Sequence, residues 1–290
     1  MTTEPSEAAA SLAIADCQVE MASRIDPIIG AYPVTAEELA AYLDGPYRFG
    51  PEERAISCAL VAACAAELVD EADVRSHHRH VSAAVRLSRG RLLGAVTINP
   101  LHRLDESLAE FRRLVIDESF RAVKFDPTAH GYLPQRCDDV IGPILEEAAG
   151  LRVPALFEMG NPPFSTPVLT AVLAEAHPRT TIVLCNLGSD NVVYAQEAAY
   201  VAAMNRNVFL TTAGATMPRL RQVIAALGPD RVLFASGFPR HDAASQLRLV
   251  EALGEAGPVG PAQSSEALDL VLSGNFRRLF GADSALATPA

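Results

Sequence analysis

Lysine is almost absent from this sequence. Of the 24 basic residues in 290, 23 are arginine and one is Lys124. Under so strong an arginine bias, a lysine that persists alone marks a position needing a compact ammonium rather than a guanidinium fork. Cysteine is sparse as well. Cys17, Cys58, Cys64, Cys137 and Cys185 form no CxxC pair, which excludes a disulfide scaffold in a chain of this length. No apolar run can span a bilayer, since the longest, residues 55–66, ends at Glu67. The opening MTTEPSEAAA lacks the basic stretch of a secretory signal, so a reducing, cytoplasmic setting is expected. No GxGxxG or GxxxxGK[ST] opens a helix, so no phosphate fingerprint is present. Positive charge is short overall. A net charge of -11 argues against nucleic acid and anionic membrane surfaces as partners.

What remains is an apolar chain, 49% hydrophobic and 20% charged, long enough to bury a large core. Eight short strand-like runs occupy residues 12–19, 55–63, 92–98, 121–125, 154–157, 181–185, 207–211 and 231–235. Amphipathic stretches lie between them, among them residues 36–43, 107–116, 138–149, 167–176 and 217–227. Thr35 before two glutamates and Pro167 in a first turn are helix-start signals. The regular alternation predicts a single α/β domain over residues 11–283, a (β/α)8 TIM barrel, with an open doubly wound sheet as the alternative. Residues 1–10 and 284–290 read as disordered tails.

In such a barrel, chemistry sits at the C-terminal strand ends. Alternation along strand one places Asp16, Gln18 and Glu20 on one face. Strand four ends with Lys124 and Asp126 on one face, strand five with Glu158, strand six with Asn186 and strand eight with Gly237. A buried carboxylate costs several kcal/mol unless paired, so Glu20, Asp126 and Glu158 converging on one ammonium is a built site.

The segments ADCQVE, RLLGAVTINP, SFRAVKFDP, VPALFEMG, TIVLCNLG, NVFLTTAG, DRVLFASGFP and SGNFRRLFG carry a resemblance. In order and spacing the chain resembles the amidohydrolase-related family, the group containing aminocarboxymuconate-semialdehyde decarboxylase and related aromatic acid decarboxylases. That resemblance implies a barrel with a divalent metal, usually zinc. Its ligands are an HxH pair after strand one, a His after strand five and an Asp after strand eight, with a further His after strand six. Here Gln18 and Glu20 stand at the HxH positions, Glu158 and Asn186 at the other two His positions, and Gly237 at the Asp position. Zinc sites use His, Cys and carboxylate. With every imidazole replaced and a lysine alongside, the expectation is no metal and no cofactor. A hard-ion site for magnesium or manganese on the remaining oxygens is the alternative.

The expected function is therefore that of a divergent, metal-independent barrel enzyme. It would use carboxylate acid–base chemistry for cyclisation, dehydration, isomerisation or a lyase step on a small polar substrate. Glu158 and Glu20 form the catalytic pair, one with a raised pKa, and Lys124 orients them or stabilises charge. Schiff-base chemistry by Lys124 is a variant. Gln18, Asp126, His130, Asn186 and His241 are the expected substrate-binding residues. Asn161, Asp190 and Asn191 are weaker candidates at the mouth. His77, His78 and His80 point in different directions on a helix start and read as a solvated face, with His78 reaching the barrel mouth as the alternative. Cys17 and Cys185 read as buried core thiols turned away from the site. The competing readings are a non-catalytic relative that binds a small molecule or a partner, and a metal-dependent hydrolase or decarboxylase with oxygen ligands. Homodimerisation is left open.

Overall fold

A computed structural model describes residues 13–22, 33–65, 74–160, 163–188, 191–258 and 260–281. The tails expected to be disordered, residues 1–10 and 284–290, lie outside them. Eight strands form one parallel sheet: β1 (Ala15–Met21), then, past the β2 (Tyr47–Phe49) and β3 (Glu52–Arg54) hairpin, β4 (Cys58–Ala63), β5 (Leu92–Thr97), β6 (Phe120–Phe125), β7 (Ala155–Phe157), β8 (Ile182–Leu184), β9 (Val208–Thr211) and β10 (Val232–Leu233). Each pairs with the next in the order β1-β4-β5-β6-β7-β8-β9-β10. The two edges meet. Cys17 N–H donates to Phe234 O at 3.1 Å, Gly237 N–H to Gln18 O at 3.1 Å and Glu20 N–H to Phe238 O at 2.9 Å. The result is the (β/α)8 barrel, not the open sheet. The hairpin, an insertion after the first helix, was not expected from the sequence.

Helices α1 (Ala36–Asp44), α2 (Val74–Leu87), α3 (Leu104–Asp117), α4 (Pro127–His130), α5 (Asp138–Leu151), α6 (Ala171–Ala176), α7 (Val192–Met204), α8 (Met217–Leu227), α9 (Ala243–Glu251), α10 (Ser265–Asp269) and α11 (Asn275–Phe280) fill the connections. Thr35 caps α1 in a reciprocal box with Glu38, as its sequence signal implies. Helix α7 lacks the periodic pattern because nearly all of its residues are apolar or small, so it has no polar face to announce it.

Alternation along the strands builds two apolar layers. Large side chains such as Phe111, Phe125, Phe157, Leu184 and Phe234 fill the space between sheet and helices. The barrel interior takes smaller ones, including Ala15, Cys17, Ala62, Ala95, Ala122 and Cys185, closed at the N-terminal end by Phe276 and Phe280 of α11. Gly94 of β5 is part of this fit, since a Cβ there would meet the Phe120 ring at 2.5 Å.

Two local irregularities correct the expected side-chain directions. Asp16 pairs with Ala59 while Val19 pairs with Val61, so β1 carries one extra residue between them. This bulge lets Cys17 and Gln18 both face inward and turns Asp16 to the outer side, against Tyr42. At the end of β8, Asn186 adopts a left-handed backbone with φ 63°, which bends its side chain inward directly after inward-facing Cys185. Both thiols are buried as expected, but on the inner face.

Candidate active site

At the C-terminal mouth of the barrel, four charged side chains form a closed ring of alternating sign. Lys124, 1% exposed at the end of β6, contacts Glu20 Oε1 of β1 and lies 3.0 Å from Glu158 Oε2 beyond β7. Arg240, in the loop after β10, reaches back with one terminal nitrogen, 2.7 Å from Glu158 Oε1 and 3.3 Å from Glu20 Oε2. Two carboxylates and two cations cancel, which is how this much charge can be buried.

Glu158 is the best-held member. Its Oε1 accepts from Arg240, from Gln18 Nε2 at 3.3 Å and from Asn186 Nδ2. Burial alone would raise its pKa. The charges of Lys124 and Arg240, with hydrogen bonds from Lys124 and Asn186, outweigh burial and bring it down to about 2. Burial would likewise lower Lys124, but the Glu158 and Glu20 carboxylates hold it above its ordinary value. Glu20 raises Arg240 against the opposing effect of burial, with further help from Glu158 and Asp126.

Two expected roles are corrected by this geometry. Glu158 pairs with Lys124, as the sequence suggested, yet it is ionised throughout the physiological range and has no proton to give. Lys124 is a locked ammonium, which is unsuited to Schiff-base attack because that needs a free amine.

The raised carboxyl beside the ring is Asp126. It is 5% exposed, and its hydrogen bond among the described residues is Ala129 N–H at 3.0 Å, the first turn of α4. Burial lifts its pKa first and the charge of Glu158 second. The Ala129 N–H and Lys124 oppose them, and the balance falls at about 6.

Gln18 and Asn186 sit at the mouth but are committed to the protein. Gln18 Nε2 also donates to Asn186 Oδ1 at 2.6 Å, and Gln18 Oε1 accepts from Thr211 Oγ1 at 3.2 Å. Asn186 Nδ2 also donates to Met159 O at 3.3 Å. Their amide hydrogens orient Glu158 rather than reach for a substrate. Buried His130 stacks on Tyr132, and its Nε2 lies 3.0 Å from Ala65 O, which ties the loop after β6 to that after β4. The His241 ring lies against Gly237, where a Cβ would come within 2.9 Å of it. His78 is buried, not solvated, and its Nε2 accepts from Thr97 N–H at 3.1 Å. Asn191 caps α7 through Val193 N–H. Asn161, Asp190 and the side chain of His77 lie outside the described residues.

Sequence reasoning missed Arg240 and Thr211. Charge balance held the signal for Arg240. Two glutamates around one lysine leave a buried negative charge, and the loop scanned for His241 contains an arginine one residue earlier. Nothing in the sequence separates Thr211 from its neighbour Thr212, whose hydroxyl donates to Ala235 O instead.

Behind β1 lies a second polar cluster. Asp16 Oδ1 accepts from Gln18 N–H and Ser236 N–H, each at 3.0 Å, and Oδ2 from Tyr42 Oη and Ser236 Oγ. Burial raises its pKa against these hydrogen bonds.

The family model described as amidohydrolase matches residues 15–282. The fold is similar to 5-carboxyvanillate decarboxylase LigW from Sphingomonas paucimobilis, with a TM-score of 0.69 at 17% identity over 93% of this chain and 99% of that one. It is similar to 2,6-dihydroxybenzoate decarboxylase from Rhizobium, with a TM-score of 0.67 at 16% identity over 93% and 99%. It is also similar to a dihydroxybenzoic acid decarboxylase from Polaromonas sp. JS666 with bound manganese and 2-nitroresorcinol, with a TM-score of 0.67 at 14% identity over 95% and 99%. No curated protein matches the chain by sequence.

Proposed function

The chain belongs to the amidohydrolase family, and from that premise we propose that it is an enzyme whose barrel mouth moves a proton on a small polar substrate without a resident metal ion. The observation that carries this reading is Asp126, a buried carboxyl poised at about 6 beside a charge-balanced ring. A general acid or base works best when its pKa lies near the working pH. Asp126 gives or takes the proton. Lys124 and Arg240 present positive charge to an anion forming next to it. Glu20 and Glu158 keep both cations in place.

Cyclisation, dehydration, isomerisation and carbon–carbon lyase reactions all contain such a step. The similar folds include decarboxylases, which favours the lyase among them. In that case the carbon–carbon bond to the carboxylate breaks, carbon dioxide leaves, the bonding pair stays on carbon, and the Asp126 proton quenches it. An incoming carboxylate adds negative charge and raises Asp126 further, which stocks the donor form.

The manganese-bound relative raises the question of a metal here, and the donor set does not fit one. Glu20 and Glu158 already face two cations within 3.3 Å, and Gly237 supplies no side chain where the resemblance expects an aspartate. A divalent ion would meet Lys124 and Arg240 as like charges. A non-catalytic, ligand-binding barrel is favoured by a different observation, the saturation of Glu158 Oε1 and of the Gln18 and Asn186 amides.

One set of measurements separates the readings. Carbon-13 NMR of the aspartate carboxyls is expected to show one titrating near 6 and missing in Asp126→Asn. Turnover is then sought against 2,6-dihydroxybenzoate, 5-carboxyvanillate and other small hydroxy acids in the presence of EDTA. The kcat/KM is expected to fall as pH rises past about 6, because the donor form is lost, and Asp126→Asn is expected to lower it about 100- to 10,000-fold. Ordinary titration of Asp126, or turnover that requires about one equivalent of metal per chain, overturns the proposal. Binding of these acids with no turnover supports the non-catalytic barrel.

A further inference from the structure

The outer helix ring is apolar in one place. Val168 and Val172, at and just before α6, and Val192, Val193, Tyr200 and Met204 of α7 are 47% to 67% exposed. On α7 the exposed positions Val193, Gln196, Tyr200 and Ala203 recur at helical spacing, so they form one stripe along the helix. Val168 joins it, since its N–H donates to Glu197 Oε2 of α7 at 3.4 Å. Single exposed apolar residues are ordinary, but a contiguous set of six large ones marks an interaction surface.

We propose that this face is where a second copy of the chain docks, α7 against α7 about a two-fold axis. Charge is the first argument. Each chain carries -11, so two copies repel across most of their surfaces. Residues 163–176 and 192–204 hold no lysine or arginine and two acids. Glu197 is engaged at Val168 N–H, and Glu175 stands one turn past Val172. Two copies can therefore meet here with little like-charge cost. A partner with a basic face finds only Glu175 left to pair with, and an anionic lipid surface finds no cation within these two segments.

Area is the second argument. The six side chains expose roughly 600 Å² per copy, so a symmetric contact buries about 1,200 Å², the lower end of what specific pairs use. A helix that is apolar around its whole circumference needs cover on its outer side too. Ala199 and Ala203 are small enough to let two such helices approach closely. In a two-fold contact each residue meets the mirror set, so one surface supplies both halves.

The test is the oligomeric state of the full chain by sedimentation and light scattering from about 1 to 200 µM. A dimer that dissociates on dilution is expected. Tyr200→Glu and Val193→Glu are each expected to weaken association at least 100-fold with thermal unfolding unchanged, because both side chains face solvent in the single chain. Met204→Cys is expected to give a dimer that a short thiol-reactive cross-linker traps, while the exposed control Leu87→Glu on α2 changes nothing. A chain that is monomeric at 200 µM, a dimer that survives both glutamate variants, or binding to phosphatidylserine vesicles instead overturns the proposal.

Discussion

Asp16 and Glu20 lie four residues apart on β1, and the barrel buries both. Around Glu20 the neutralising partners are whole charges, Lys124 and Arg240, set among a second carboxylate. Around Asp16 they are two hydroxyls and two backbone N–H groups, with no cation among the described residues. The consequences differ in sign. In the ionic ring Glu158 is pulled down to about 2, while Asp16 is raised despite four donors. Dipoles can hold a buried carboxylate in place without fully replacing its hydration, whereas opposite charges at 3 Å more than replace it. The first arrangement can act on a substrate's charge. The second pins the barrel seam, where the backbone of Gln18 carries the amide side chain that reaches Glu158.

The largest effect that could break this contrast is expected at Lys124. Lys124→Met removes one cation and leaves two buried glutamates sharing Arg240. Denaturant unfolding is expected to register a loss of about 3–5 kcal/mol. A loss no greater than that of an ordinary buried hydrogen bond would mean that the ring is not the main support of its carboxylates. A smaller effect is expected in the second cluster. Asp16→Asn keeps the two backbone acceptor bonds and asks only the Tyr42 and Ser236 hydroxyls to reverse, so about 1–2 kcal/mol is expected by the same measurement. The smallest concerns an exposed pair with better geometry than either. Arg112 bonds Glu147 through two nitrogens at 2.6 and 2.7 Å on the surface of α3 and α5. Arg112→Ala is expected to leave the unfolding midpoint nearly unchanged by the same measurement, and to have still less effect at high salt. The three together order pairing by burial rather than by distance.

Much of this was legible beforehand. A parallel barrel buries each strand on both faces, so its strands read as apolar runs bounded by helix signals, and all eight stood out. Lys124, Glu20, Glu158 and Asp126 were conspicuous because a charge ending an apolar run has few reasons to be there. What could not be read followed from local backbone geometry. One extra residue in β1 sent Asp16 and Gln18 to opposite sides, and a left-handed Asn186 put neighbouring residues on the same side. Strict alternation has no term for either. That the raised pKa falls on Asp126 and not on Glu158 needed the position of Arg240, which comes from a loop with no periodicity.

Gly237 has φ 74°, and a Cβ on it would press on His241 at 2.9 Å and on Ala213 at 3.2 Å. An aspartate introduced there must accept a left-handed backbone, push a ring aside and enter a mouth that already contains Lys124 and Arg240. No single substitution could make it a metal ligand with profit, since each intermediate would carry a cost before any ion could bind. A metal at this mouth therefore needs concerted change: space for a side chain at 237 and loss of the charges of Lys124 and Arg240.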